Sequence, residues 1–179
     1  MLAVTGELAG DHDVELVEAN AAASGLPAGA FDLVHERAVL LNLTDPAPVV
    51  AEMVRLARPG GTVALQEPDA AAWLCDPPHS AFERLKAELL TVYERMGRDF
   101  HIGRRAGRLL RDAGLHDVEV RATARVTRPG DYHHSFLLTL CGLLGVSAAE
   151  DTAALREHLG RPDTITCQPL LWQATGVRP

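Results

Sequence analysis

The sequence predicts an α/β layered domain built on a mostly parallel sheet. Two patterns carry this reading. Short apolar segments bounded by turn residues alternate along the chain with stretches whose apolar residues recur at i, i+3, i+4 and i+7. The chain is also long and apolar enough for one core: 179 residues, 47% hydrophobic and 23% charged.

The elements follow in order. Asp13 to Glu18 reads as a short strand, followed by a small-residue loop with turn signals at Gly25, Pro27 and Gly29. Phe31 to Val34 is a second apolar strand. Asp45-Pro46 opens a helix, with the aspartate capping free N–H groups and the proline in the first turn. Val50, Met53, Val54 and Ala57 form its buried stripe, and Pro59-Gly60-Gly61 stops it. Thr62 to Gln66 is a third strand. Phe82, Leu85, Leu89 and Met96 trace one helix, and Ala106, Leu109, Leu110 and Ala113 a second, ended by Gly114. Alternation from Val118 to Val126 marks a half-exposed strand. Asp131 to Gly145 reads as a mostly buried helix. Ser147 and Glu150 have the spacing of a capping box opening a helix to Leu159, and Leu170 to Val177 forms a last strand.

Composition narrows the function. Seventeen basic against 24 acidic residues leave a net charge of −7, which argues against a nucleic-acid or anionic-membrane binder. The longest apolar run is about eleven residues, short of the roughly twenty that span a bilayer. No positively charged segment precedes an apolar one at the N-terminus, so the expected location is cytoplasmic. Cys75, Cys141 and Cys167 are scattered, without CxxC spacing, and the histidines form no HExxH pattern, so neither a disulfide framework nor a metal site is expected.

Three segments taken together carry a resemblance: VELVEANAAASGLP (14–27), FDLVHERAVLLNL (31–43) and DPAPVVAEMVRLARPGGTVALQEPD (45–69). In this order and spacing they resemble the class I S-adenosylmethionine-dependent methyltransferases of the small-molecule type. The resemblance implies a Rossmann-like fold with helices on both faces of the sheet, S-adenosyl-L-methionine as cofactor and a small organic acceptor. It treats residues 1–179 as one partial methyltransferase domain. The helical segments 70–115 and 128–160 would line the acceptor pocket.

The chain departs from the family in one respect. The glycine-rich G-x-G-x-G turn and the following acidic strand end are not present, so the N-terminal βα units are missing, about 60 residues' worth. The strand at 31–34 then exposes an edge, which admits a partner strand, including that of a second copy in a homodimer. Two alternatives to the enzyme stay open: a non-catalytic remnant acting as a binding or dimerisation module, and a repurposed enzyme that carries out another reaction, such as a cyclisation.

Ligands of open α/β sheets lie beyond the carboxyl ends of the strands, so the residues there are the candidates. The resemblance places Asn20 and Ala21 against the adenine, and His35, Glu36 and Arg37 at the cofactor. As catalytic groups, His35 could serve as general base and Glu67 could take the acceptor's proton. Asp69, Trp73, His79 and His101 are the substrate-binding candidates, because polar-edged aromatics and a nearby acid suit a small organic acceptor. Tyr93 and Phe100 belong to the same segment, with Tyr93 at core spacing. His133 and His134, being adjacent, are expected to point to different sides.

Overall fold

A computed structural model describes residues 14–146 and 148–179. Its centre is a four-stranded sheet in the order β1-β2-β7-β4, formed by β1 (Phe31–Arg37), β2 (Ala57–Asp69), β4 (His116–Thr123) and β7 (Leu170–Val177). A small second sheet joins β3 (Leu74–Asp76), β6 (Ile165–Cys167) and β5 (Val126–Thr127), in that spatial order. Five helices complete the described residues: α1 (Ala47–Leu56), α2 (Ser80–Arg95), α3 (Ala106–Asp112), α4 (Phe136–Leu143) and α5 (Ala149–Leu159).

The expectation of a mostly parallel sheet is corrected. Only β1 and β2 run parallel, while β7 is antiparallel to both of its neighbours. The reason lies in the connections. The α1 crossover returns the chain in the β1 direction, as parallel pairing requires. The β6–β7 turn instead sends β7 into the sheet from the carboxyl end of β2, with Leu170 opposite Asp69. That end of the sheet therefore gathers the carboxyl ends of β1, β2 and β4 and the start of β7.

From Phe31 onward the expected strands form and the last matches residue for residue, but β2 begins at Ala57, a residue expected in the helix stripe, and the short β3 and β6 carry no pattern that marked them. The first expected strand does not form. Residues 14–18 form no regular element, and Val14, Leu16 and Val17 are exposed, because no neighbouring strand covers them among the described residues. Asp13 and Ser147, one end of that strand and the start of the capping box, lie outside the described residues. The helix expected over 131–145 is shortened to α4, preceded by turns at 131–135.

α1 begins with Asp45 Oδ1 accepting the Ala47 N–H at 3.0 Å. It packs on β1 and β2, and α3 packs on β2, β4 and β7. These two helices touch each other and so share one face of the sheet. Val63 and Leu65 point into that face and are fully buried. On the opposite face Leu33, His35, Glu119, Arg121 and Thr175 are exposed. A helical layer on that second face is therefore not seen among the described residues. β1 also pairs only with β2, which leaves its outer edge without a described partner.

The remaining helices pack on one another at the carboxyl end of the sheet: α2 against α4 and α5, and α2 against β3. Trp73 anchors this region. It is 1% exposed, lies 5.7 Å from the nearly parallel Phe100 ring and meets Phe82 edge-on at 6.1 Å. Gly103 is required by close packing, since a Cβ there would stand 2.5 Å from the Glu67 carbonyl oxygen. Replacing Trp73 with alanine removes a ring packed against aromatics on several sides. Urea unfolding should show a loss of about 3–5 kcal/mol, and a loss below about 1 kcal/mol would contradict this packing role.

Candidate functional site

β2 carries two acids two residues apart, and both point into the helix-covered face of the sheet. Glu67 is fully buried, and its carboxyl accepts the backbone N–H groups of Leu40 at 2.5 Å and Leu41 at 3.3 Å. These open the short 3-10 turn Leu40–Asn42 that follows β1. Burial, then the neighbouring Glu36 carboxyl, push the Glu67 pKa well above the ordinary carboxylate range. Glu36 accepts the N–H groups of Val39 and Gln66. The expectation that Glu67 opens on the cleft is thus corrected: its oxygens are occupied by backbone groups inside the core.

Asp69, 1% exposed, accepts from the Arg104 guanidinium twice at 2.6 Å and from the Ala71 N–H at 2.9 Å. The His101 Nδ1 lies 2.8 Å from its Oδ1. Burial opposes the charge, but Arg104 first, then His101 and Ala71, hold the carboxyl down at about 2. Asp69, His101 and Arg104 thus form one ion-paired cluster rather than free acceptor-binding groups.

A cavity of ≈ 690 Å³ opens at the carboxyl end of the sheet. Its floor is built from strand ends: Arg37 and Ala38 at the end of β1, Pro68 in β2, Thr123 to Arg125 at the end of β4, and Gln168, Pro169 and Leu171 leading into β7. Its walls are largely apolar, with Phe136, Leu140 and Leu144 from the α4 region facing Tyr93 and Phe100.

Of the expected site residues, only Arg37 lines this cavity. His35 is exposed on the open face of the sheet, opposite Ala64. Glu36 is buried beneath the turn that bears the cavity. Trp73 stands behind Phe100 in the core, so it supports the wall without reaching the space. His79 caps α2, its Nδ1 accepting the Ala81 N–H, and stacks on His158. Asn20 and Ala21 lie in a separate exposed turn, where the Asn20 side chain accepts the Ala22 N–H at 2.9 Å. The loop beyond that turn is tied down by Glu52, which accepts from Ser24 and pairs with Arg55.

The sequence reading missed Arg125, Phe136, Leu140 and Gln168. Arg125 ends an alternating strand, and Phe136 and Leu140 share a helix face, signals that would have sufficed once α4 was placed. Gln168 carries no such signal. The histidine pair does split as expected: His133 lines the cavity, while His134 is buried with its Nε2 2.9 Å from the Leu159 carbonyl oxygen. Among the described residues there is no cluster of three His, Cys, Asp or Glu side chains suited to a metal. No helix among them is long and apolar enough to cross a membrane.

The buried Glu67 sets a pH dependence. Its folded-state pKa lies above the unfolded value of 4.5, so stability falls as pH rises past 4.5, where the unfolded chain releases a proton that the folded chain retains. Glu67→Gln keeps an oxygen for the Leu40 N–H and removes the titration. The stability of this variant relative to the native chain should improve from pH 5 to pH 8, measured by urea unfolding; a difference independent of pH would contradict the assignment.

Comparison with known proteins fits this architecture. The family model described as a methyltransferase domain matches residues 1–65. The chain is 32% identical over 114 residues to trans-aconitate 2-methyltransferase of Methylobacterium radiotolerans, covering 63% of this chain and 42% of that protein. It is 36% identical over 87 residues to an uncharacterised 37.1 kDa protein of transposon TN4556 in Streptomyces fradiae, covering 49% of this chain and 25% of that one. The chain thus spans less than half the length of either curated relative. A solved S-adenosylmethionine-dependent methyltransferase of Thermotoga maritima shares the fold, with a TM-score of 0.55 at 13% identity over 97% of this chain and 69% of that one. The methyltransferase-domain model thus matches the β1-α1-β2 region in sequence, and the chain has the fold of solved S-adenosylmethionine-dependent methyltransferases.

Proposed function

We propose that the chain acts as an S-adenosylmethionine-dependent methyltransferase on a small organic acceptor held in the 690 Å³ cavity. The observation that carries this reading is the cavity's position, beyond the carboxyl ends of β1 and β2 in a methyltransferase fold, where ligands of open α/β sheets lie. Its volume falls in the range of small-molecule sites.

The lining suits this cofactor in kind. An adenosyl group is a flat ring system with polar edges, and the cavity offers the Tyr93 and Phe100 rings beside the amide of Asn42. Ala38, in a left-handed conformation at φ 55, turns the chain sharply after β1 and brings its backbone to the cavity. Ala38 and Asn42 would hold the cofactor, which supplies an electrophilic methyl group on a sulfonium. The Glu67 bonds to Leu40 and Leu41 fix this turn in place before any ligand arrives.

The other residues serve the acceptor. Leu140, Leu144, Phe136 and Leu171 exclude water from the reacting atoms. The His133 imidazole, in the same lining, would take the proton that an oxygen or nitrogen acceptor gives up. His133 here takes the role first expected of His35 and Glu67.

Calorimetric titration of the chain with S-adenosylhomocysteine should show saturable one-site binding. Transfer of labelled methyl groups to a panel of small acceptors should then fall about a hundredfold on His133→Ala, with cofactor affinity unchanged. A folded chain that does not bind S-adenosylhomocysteine would contradict the enzyme reading and leave a binding module.

A further inference from the structure

The polar groups of the cavity are one-sided in charge. Arg37, Arg125 and His133 line it, and no aspartate or glutamate does. The protein as a whole carries seven more negative than positive charges, so a lining that holds arginines and no carboxylate runs against its background. The other basic clusters of this end are already matched. Arg104 is held by Asp69, and Arg105 by Asp99. Among the described residues Arg37 and Arg125 form no ion pair with a protein carboxylate.

A second observation concerns Gln168. Its side chain is 7% exposed and its Nε2 donates to Thr127 Oγ1 at 3.0 Å and Thr166 Oγ1 at 2.8 Å. Its Oε1 is buried and has no hydrogen-bond partner among the described residues. The Gln168 side chain is thus fixed in the cavity wall by the two threonines. Much of the remaining wall is apolar, from Leu41, Phe136, Leu140, Leu143, Leu144 and Leu171.

We infer that the acceptor is an amphipathic organic acid: a carboxylate on an apolar body, with the carboxylate paired to Arg125 and Arg37. This rests on the methyltransferase reading and narrows its substrate class. Guanidinium groups suit carboxylates because two parallel N–H donors match two oxygens. The apolar wall takes the body of the acid. The pairing at the mouth is open to solvent and so weakens with added salt.

The test is a binding panel on the 179-residue chain, with S-adenosylhomocysteine titrated separately. The probes are small aryl and alkyl carboxylates, each with its matched alcohol and its matched primary amine. Carboxylates should bind at least about tenfold tighter than their alcohols, and amines should be the weakest. Arg125→Gln, with Arg37→Gln as the second variant, should remove that preference while leaving the affinity for the alcohols unchanged. Both arginines are on the surface, and an unchanged thermal unfolding midpoint confirms that each variant is folded. Equal binding of acids and alcohols, a preference for amines, or no binding of any probe would overturn the inference. The S-adenosylhomocysteine titration separates the two claims. Cofactor binding without acid preference removes the substrate class and keeps the enzyme. Loss of cofactor binding removes the enzyme, whatever the acids do.

Discussion

The acid at the end of β2 holds the rest of this structure in place. Glu67 sits fully buried and gathers the backbone N–H groups of Leu40 and Leu41, which start the turn after β1. Without that carboxyl, two donors of a buried turn would be left without partners, at about 1–3 kcal/mol each. The bond also crosses from one strand of the parallel pair to the connection that follows the other, so the two carboxyl ends cannot drift apart. Everything that lines the cavity from this side, from Arg37 to Asn42, hangs on that joint.

The site is layered outward from this joint. Burial and the neighbouring Glu36 carboxyl favour the protonated form of Glu67. Asp69, two residues along, faces the same side but is charged, because Arg104 and His101 reach it. One strand thus carries a neutral acid that braces a turn and an ionised acid that fastens the 3-10 turn Ile102–Arg105 against the sheet. Neither opens on the cavity. The cavity lining itself is an apolar wall interrupted by Arg37, Arg125 and the His133 imidazole.

Much of the sheet was legible in the sequence because its strands are short, apolar and punctuated. FDLV, TVALQ and the run from Leu170 to Val177 all became strands, and Asp45-Pro46 and Gly114 mark real helix boundaries. Strand direction was not legible. Apolar patterning is the same for parallel and antiparallel neighbours, and the reversal of β7 depends on where a distant turn delivers the chain. Residues 14–18 have strand-like patterning but no strand beside them to complete a ladder, and local propensity alone does not hold a strand. The site was harder still. Glu67 and Asp69 lie at the carboxyl end of β2, but each side chain turns inward. The two-residue alternation of a strand decides that, and it follows here from Val63 and Leu65, which set the buried phase. Arg125 and His133 come from other segments and meet Arg37 only through the tertiary fold.

The central claim is that the cavity above β1, β2 and β4 is the ligand site. Backbone chemical shifts of the labelled chain, recorded while S-adenosylhomocysteine is added, test it most directly. The account predicts saturable shift changes concentrated at Ala38 to Asn42, Tyr93, Phe100 and Gln168 to Leu171, with the open face around Glu119, Arg121 and Thr175 unmoved. Changes confined to that open face, or to the Asn20 turn, would place the ligand elsewhere and contradict it.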